Sequence, residues 1–208
     1  MGLLDLMLPW ITRAAVLVSV VLLTLTTLRR HSDIPLSQAT LRVAHLCSFS
    51  VWFGTSVWVS FIAGIVLMRA VNMETFGLAQ AKLFDAYFKF SLLCLAVAGF
   101  TGAALSSSSS PAQSDGDDGS AVGATPFLVA VACVVANLVF FSPQTTITMM
   151  ERSRVCKALG VDRKSPDPQV RKLSKRFGMF HGITNLINLV ALACGAVHLC
   201  ALAERLSL

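Results

Sequence analysis

The chain has 208 residues, of which 55% are hydrophobic and only 13% charged. Soluble domains carry about a quarter charged residues, and here the charges gather between long uncharged runs, which excludes a water-soluble globular core. Lysine and arginine outnumber acidic residues 17 to 11, but without aromatic interleaving, so no nucleic-acid partner is expected.

The first apolar stretch, Ala14 to Leu28, lies between Arg13 and the pair Arg29 and Arg30. Asp5 in the leader and the lack of a small-x-small site argue against a cleaved signal peptide, and a mitochondrial presequence would be richer in arginine. Residues 1–42 therefore read as an extra N-terminal hydrophobic helix with its linker. It either crosses the bilayer or lies along the surface.

The second run, Val43 to Met68, has no acidic or basic residue apart from His45. His45, Trp52, Ser56 and Ala63 share one helix stripe, while Gly54, Ser60 and Gly64 predict close approach of a neighbouring helix. Trp52 and Trp58 read as packing and interface-anchoring residues. The third run is Phe90 to Leu105, which becomes a full span when Lys89 snorkels to the headgroups. A loop is expected between Met68 and Phe90. A low-complexity connector, 106–123, follows, opening on five consecutive serines, then Pro111 and three aspartates; it is expected to be flexible and solvated.

The fourth run, Ala121 to Met150, carries no charge. Pro143 predicts a kink, and Asn137, Gln144, Thr148 and Glu151 fall on one stripe. Periodicity continues to about Ala158 before Pro166 and Pro168 interrupt it. The basic loop, 151–176, holds nine lysines and arginines and is expected to touch anionic headgroups. The last run, Phe177 to Ala203, places His181, Asn185, Asn188 and Gly195 on one stripe.

A helix needs roughly 20 apolar residues to cross about 30 Å of hydrocarbon, and no alternation suggests barrel strands. The fold class is all-α: a polytopic membrane four-helix bundle, 43–208, preceded by the extra hydrophobic helix. If all five segments cross, 13 of the 17 basic residues fall on the side of the 151–176 loop, which makes that side cytoplasmic or matrix-like. The flanks of Ala14–Leu28 taken alone would orient that segment the other way.

Polar side chains at membrane depth mark sites. At 1.5 Å per residue, Asn137 and Asn188 lie at mid-membrane, and Gln144 and His181 near the basic side. The two helices are expected to zip together through Asn137–Asn188 and Gln144–His181. Interhelical adhesion is the plain reading of these residues, with His45, Trp52 and Asn185; a binding path is the functional one. His45 and His181 open their helices on opposite sides, so they cannot share an iron. His45 and His198 share a leaflet, but His198 points about 100° from the polar stripe. No metal or cofactor is expected. No catalytic serine–histidine–acid set, phosphate loop or HExxH stands in the chain, and the six cysteines show no CxxC pair.

His45, Trp52-Phe53-Gly54, Trp58, Phe61 to Gly64, Thr75-Phe76-Gly77, Gln80, Lys82-Leu83-Phe84 and Tyr87-Phe88 together resemble the first half of the transmembrane protein 205 family. Asn137 with Pro143, Thr145-Thr146 and Met149 resembles that family's third helix. Phe180-His181-Gly182, Asn188 and the ending Glu204 to Leu208 resemble its last. The resemblance covers Val43 to Leu208; Ala14–Leu28 is an addition and the serine-aspartate connector an extension. It implies a four-helix membrane domain without an established reaction, linked to vesicular or secretory-pathway membranes and to resistance to platinum drugs. The expected role is non-enzymatic: interaction or trafficking in an endomembrane or organelle membrane (mitochondrial or plastid included), with the handling of soft metals or lipids as one form it could take. Its expected partners are lipids and other membrane proteins. The alternative is an accessory subunit of a larger respiratory or photosynthetic complex; a small transporter or metal-handling protein ranks third.

Overall fold

The computed structural model describes residues 37–107 and 118–205; the Ala14–Leu28 segment and the centre of the connector lie outside them. Three of the helices begin at a side chain that accepts one or more of their free backbone N–H groups. Helix α1, Gln38–Trp58, starts at Ser37, whose Oγ accepts the Thr40 N–H at 3.2 Å. A π-helical turn, Val59–Ala63, leads into α2, Gly64–Ala70. Asn72 then accepts the Thr75 N–H at 2.9 Å and opens α3, Met73–Ser107. Helix α4, Asp118–Ala136, passes through a second π-helical turn, Asn137–Phe141, into α5, Ser142–Leu159. Gly160, at φ 62°, closes α5, and the Val161 N–H bonds back to the Cys156 carbonyl at 3.0 Å. That left-handed turn favours glycine because a Cβ would crowd the following carbonyl. Helix α6, Pro168–Arg205, is capped by Asp167, whose Oδ1 accepts the N–H groups of Gln169 and Val170 at 2.8 and 3.2 Å. Proline suits its first position, where no N–H is needed.

Four rods result, Gln38–Ala70, Met73–Ser107, Ala124–Leu159 and Pro168–Glu204, each long and apolar enough to cross a membrane. At 33 to 37 residues they run about 50 Å or more. That exceeds the ~30 Å hydrocarbon layer, so their ends stand in the headgroup region. Two expectations change accordingly. The loop expected between Met68 and Phe90 shrinks to Val71 and Asn72. The rest is helix, supported by the Lys89–Asp85 ion pair one turn apart. The connector is already helical from Asp118, and the basic stretch Arg171–Arg176 is the start of α6 rather than loop.

The rods pack antiparallel. His45 meets Ala98 and Ser56 meets Tyr87, setting α1 against α3; Phe127 meets His198 and Phe140 meets Phe180, setting α4 and its π-turn against α6. The core joins Phe49, Trp52, Tyr87, Phe88, Leu95, Val134 and Leu138. A Cβ on Gly195 would lie 2.8 Å from the Trp52 ring, so glycine there lets α6 lie flush on α1. Gly54 meets nothing within 4 Å and is not a contact point; Gly64, facing Gln80 at 3.2 Å, is. Leu128 and Leu186 are 64% and 62% exposed, and with Trp58 they cover the outer surface that lipid wets.

Candidate functional site

Three helices meet at Tyr87, the sole tyrosine of the chain. Its hydroxyl lies 2.9 Å from Ser56 Oγ on α1 and 2.9 Å from Asn188 Oδ1 on α6. With one proton it donates to one of them at a time, since the Ser56 hydroxyl proton is itself donated to the Trp52 carbonyl at 2.8 Å. Asn188 Nδ2 donates to Ser60 Oγ at 2.8 Å, and Ser60 donates to the Ser56 carbonyl at 2.6 Å. Ser60 sits in the first π-helical turn. Both Ser56 and Ser60 bond carbonyls one turn back, a habit that loosens a helix locally.

Asn137 and Asn188 are both buried, as the stripes require, but they do not pair. Asn137 Nδ2 donates to the Thr184 carbonyl at 3.2 Å, one turn before Asn188, while Asn188 turns to α3 and the first π-turn. The Gln144–His181 pair is not formed either. Thr145 faces α6 instead, with its Oγ1 3.1 Å from Thr184 Oγ1. Gln144 is buried beside it, and His181 stacks on Phe177 at 5.4 Å and bonds Asn185 at 3.2 Å.

The second miss has a local cause. The second π-helical turn lies between Asn137 and Gln144 and adds a residue to the turn. It shifts the phase by about 100°, so residue 145 faces where 144 would in a regular helix. Pro143 accompanies it, because a proline cannot donate to the carbonyl four residues back. The expected kink is thus a widened turn.

Below this polar layer the four rods part around a cleft of about 520 Å³. Val59, Ser60, Phe61, Gly64, Ile65 and Met68 form one wall, Met73 to Phe84 of α3 a second, and Thr145 to Arg152 of α5 a third. Helix α6 closes it with Phe177, His181, Thr184, Asn185, Asn188 and Leu189. No acidic side chain lines it, whereas Arg152 and Arg163 do. The Arg152 guanidinium lies 4.4 Å over the Phe177 ring, and its Nε is buried without a hydrogen-bond partner. Arg163 donates to the Met73 carbonyl at 3.3 Å, and Lys157 pairs with Glu74; together they pin the turn after α5 to the start of α3. Gln80 Oε1 is likewise buried without a partner at the cleft.

At the far end, His45 Nδ1 approaches the Ala98 carbonyl at 2.8 Å and Thr101 Oγ1 at 3.3 Å. His198 is buried after all, 5.8 Å from the His45 ring and between Phe49 and Phe127 at 5.0 and 5.1 Å. Helix α6 touches α1 as well as α4, so a residue off its polar stripe is still enclosed. Among the described residues no three histidine, cysteine or acidic groups gather as metal ligands. Trp52 is buried against Phe49 and Gly195.

From the sequence alone Asn188, Asn185 and His181 were legible as site residues, and they do line the cleft. Ser60, Gln80, Thr145, Thr184, Arg152 and Arg163 were missed. A usable signal existed for Ser60, four residues after Ser56 on the buried stripe. The arginines read as ordinary topology charges, and nothing in the sequence distinguishes them from their neighbours.

A family model described as a domain of unknown function (DUF4149) matches residues 47–154. The chain is 33% identical over 180 residues to transmembrane protein 205 of Danio rerio, covering 79% of this chain and 93% of that protein. No solved structure matches it.

Proposed function

This chain belongs to the transmembrane protein 205 family, and from that we propose that it works without catalysis, by binding other components of an endomembrane or organelle membrane or by taking part in their trafficking. One observation carries the reading: the polar groups at the centre of the bundle bond across helices. Tyr87, Ser56, Asn188 and Ser60 form one connected set, and Thr184 bonds both Asn137 and Thr145. These bonds join helices and leave the apolar flanks and the arginine-bearing cleft as the surfaces for engagement. The basic end, around 160–167, faces the cytoplasm or matrix by its charge excess.

The alternative role, an accessory subunit of a larger assembly, has support in the added apolar run Ala14–Leu28. Native gel migration of the protein from its own membrane in mild detergent, with mass spectrometry of what co-purifies, separates the two. A band near a small oligomer supports independent action; a band far above it, with fixed co-purifying subunits, replaces that reading with the subunit role.

A further inference from the structure

We propose that the cleft holds one anionic phospholipid of the leaflet at the basic end, headgroup at Arg152 and Arg163 and acyl chain against the methionine and phenylalanine walls. The inference rests on the reading above, that the protein acts by engaging membrane components, and names one of them.

Four features select this occupant. The first is extent. On α6 the lining runs from Phe177 to Leu189, about 18 Å of helix, close to the ~15 Å that one leaflet contributes to the hydrocarbon layer. The volume, about 520 Å³, falls within the ~300–1,000 Å³ of small-molecule pockets. The second is charge. Two arginines and no carboxylate line the cleft. Arg152 Nε remains buried and unpartnered, a donor that a phosphate oxygen would satisfy. Basic pockets between helices at a membrane's anionic face take up such headgroups.

The third is wall chemistry. Phe61, Ile65, Met68 and Met73 are each about half exposed (50 to 55%) along the cleft, and methionine adapts to irregular chains. The fourth is the floor. Asn188, Ser60, Thr145 and Thr184 are polar, yet they bond one another, so they ask little of a ligand and an acyl chain can lie on them. A soluble anion would use the arginines and leave the apolar walls uncovered, which is why the lipid is favoured over free phosphate.

The test uses the full chain, purified in detergent and stripped of lipid, with binding read by native mass spectrometry. Phosphatidylserine and phosphatidylcholine with the same chains are compared, along with soluble glycerophosphoserine. One phosphatidylserine should bind per chain, about tenfold or more tighter than phosphatidylcholine, and glycerophosphoserine should not displace it. Arg152→Gln with Arg163→Gln should abolish that preference, and Arg152→Lys should retain part of it. Arg171→Gln with Lys172→Gln removes equal charge from exposed positions outside the cleft and should change nothing. Ala81→Phe, which fills the cleft, should block both lipids while both arginines remain.

Equal binding of the two lipids, or an equal loss in the Arg171/Lys172 control, would reduce the effect to general surface charge and overturn the proposal. Displacement by glycerophosphoserine would make the cleft a soluble-anion site instead. Unchanged binding in Ala81→Phe would place the lipid elsewhere. None of these outcomes bears on the native-gel result, so the two readings fail separately.

Discussion

Tyr87 and Asn188 are unequal partners, although they share a hydrogen bond. Asn188→Leu leaves Tyr87 its contact with Ser56 and Ser60 its bond to the Ser56 carbonyl, so no buried group is stranded. Tyr87→Phe leaves Asn188 Oδ1 with no acceptor role in an apolar interior. We therefore expect Tyr87→Phe to cost about 1–2 kcal/mol and Asn188→Leu about 1 kcal/mol or less. Reversible unfolding in mixed micelles, with the double variant to measure coupling, checks the order. A larger loss from Asn188→Leu would show that the amide does more than join helices. Loss of function with stability intact would make it a binding residue.

At the level of elements, the two π-helical turns decide which side chains meet. Val59–Ala63 carries Ser60 to Asn188, and Asn137–Phe141 rotates α5 so that Thr145, not Gln144, reaches Thr184. The expectation is direct. The pair Thr145→Cys and Thr184→Cys should form a disulfide under mild oxidation in a background without the native cysteines, and Gln144→Cys with Thr184→Cys should form little. Cross-linking through position 144 instead would restore a regular helix and return the register to the seven-residue stripe. The stripe was legible because Asn137 and Gln144 stand seven apart, two turns of a regular helix. Its breakdown was not, because Pro143 announces a disturbed helix without saying whether it bends or widens.

For the whole molecule, the alternating directions of the four rods place Ser107 and Asp118 at the opposite end from the 160–167 turn. Chain direction requires it, since α3 and α6 both run from the basic end toward the other. With the basic turn on the cytoplasmic or matrix side, an epitope after Gly116 should be exposed on the opposite face to one after Lys164. Protease protection in sealed vesicles reads both, and accessibility of the two from one side would defeat the topology. The turn itself is held by Lys157 on Glu74 and by Arg163 on the Met73 carbonyl, exposed contacts that weaken with salt.

The sequence by itself determined the class of protein and its layout, because the bilayer imposes those demands on composition alone. Runs such as Val43–Met68 and Phe177–Ala203 must be apolar along their length and helical to satisfy their own backbone. The inward stripe of His45, Trp52 and Ser56 follows from helical period, and the family resemblance rests on residues spread over the same runs. Tertiary structure decided everything that depended on phase and partner. Asn188 pairs with Ser60 and Tyr87, 128 and 101 residues away in sequence, because α6 touches α1 as well as the α4–α5 rod and Tyr87 reaches it from α3. His198 is enclosed for the same reason. Arg152 and Arg163 look like any topology charges until the ends of four helices bring them to one cleft. Spacing along a chain gives the faces of each helix, but only packing says which faces meet, and one extra residue in one turn is enough to change the answer.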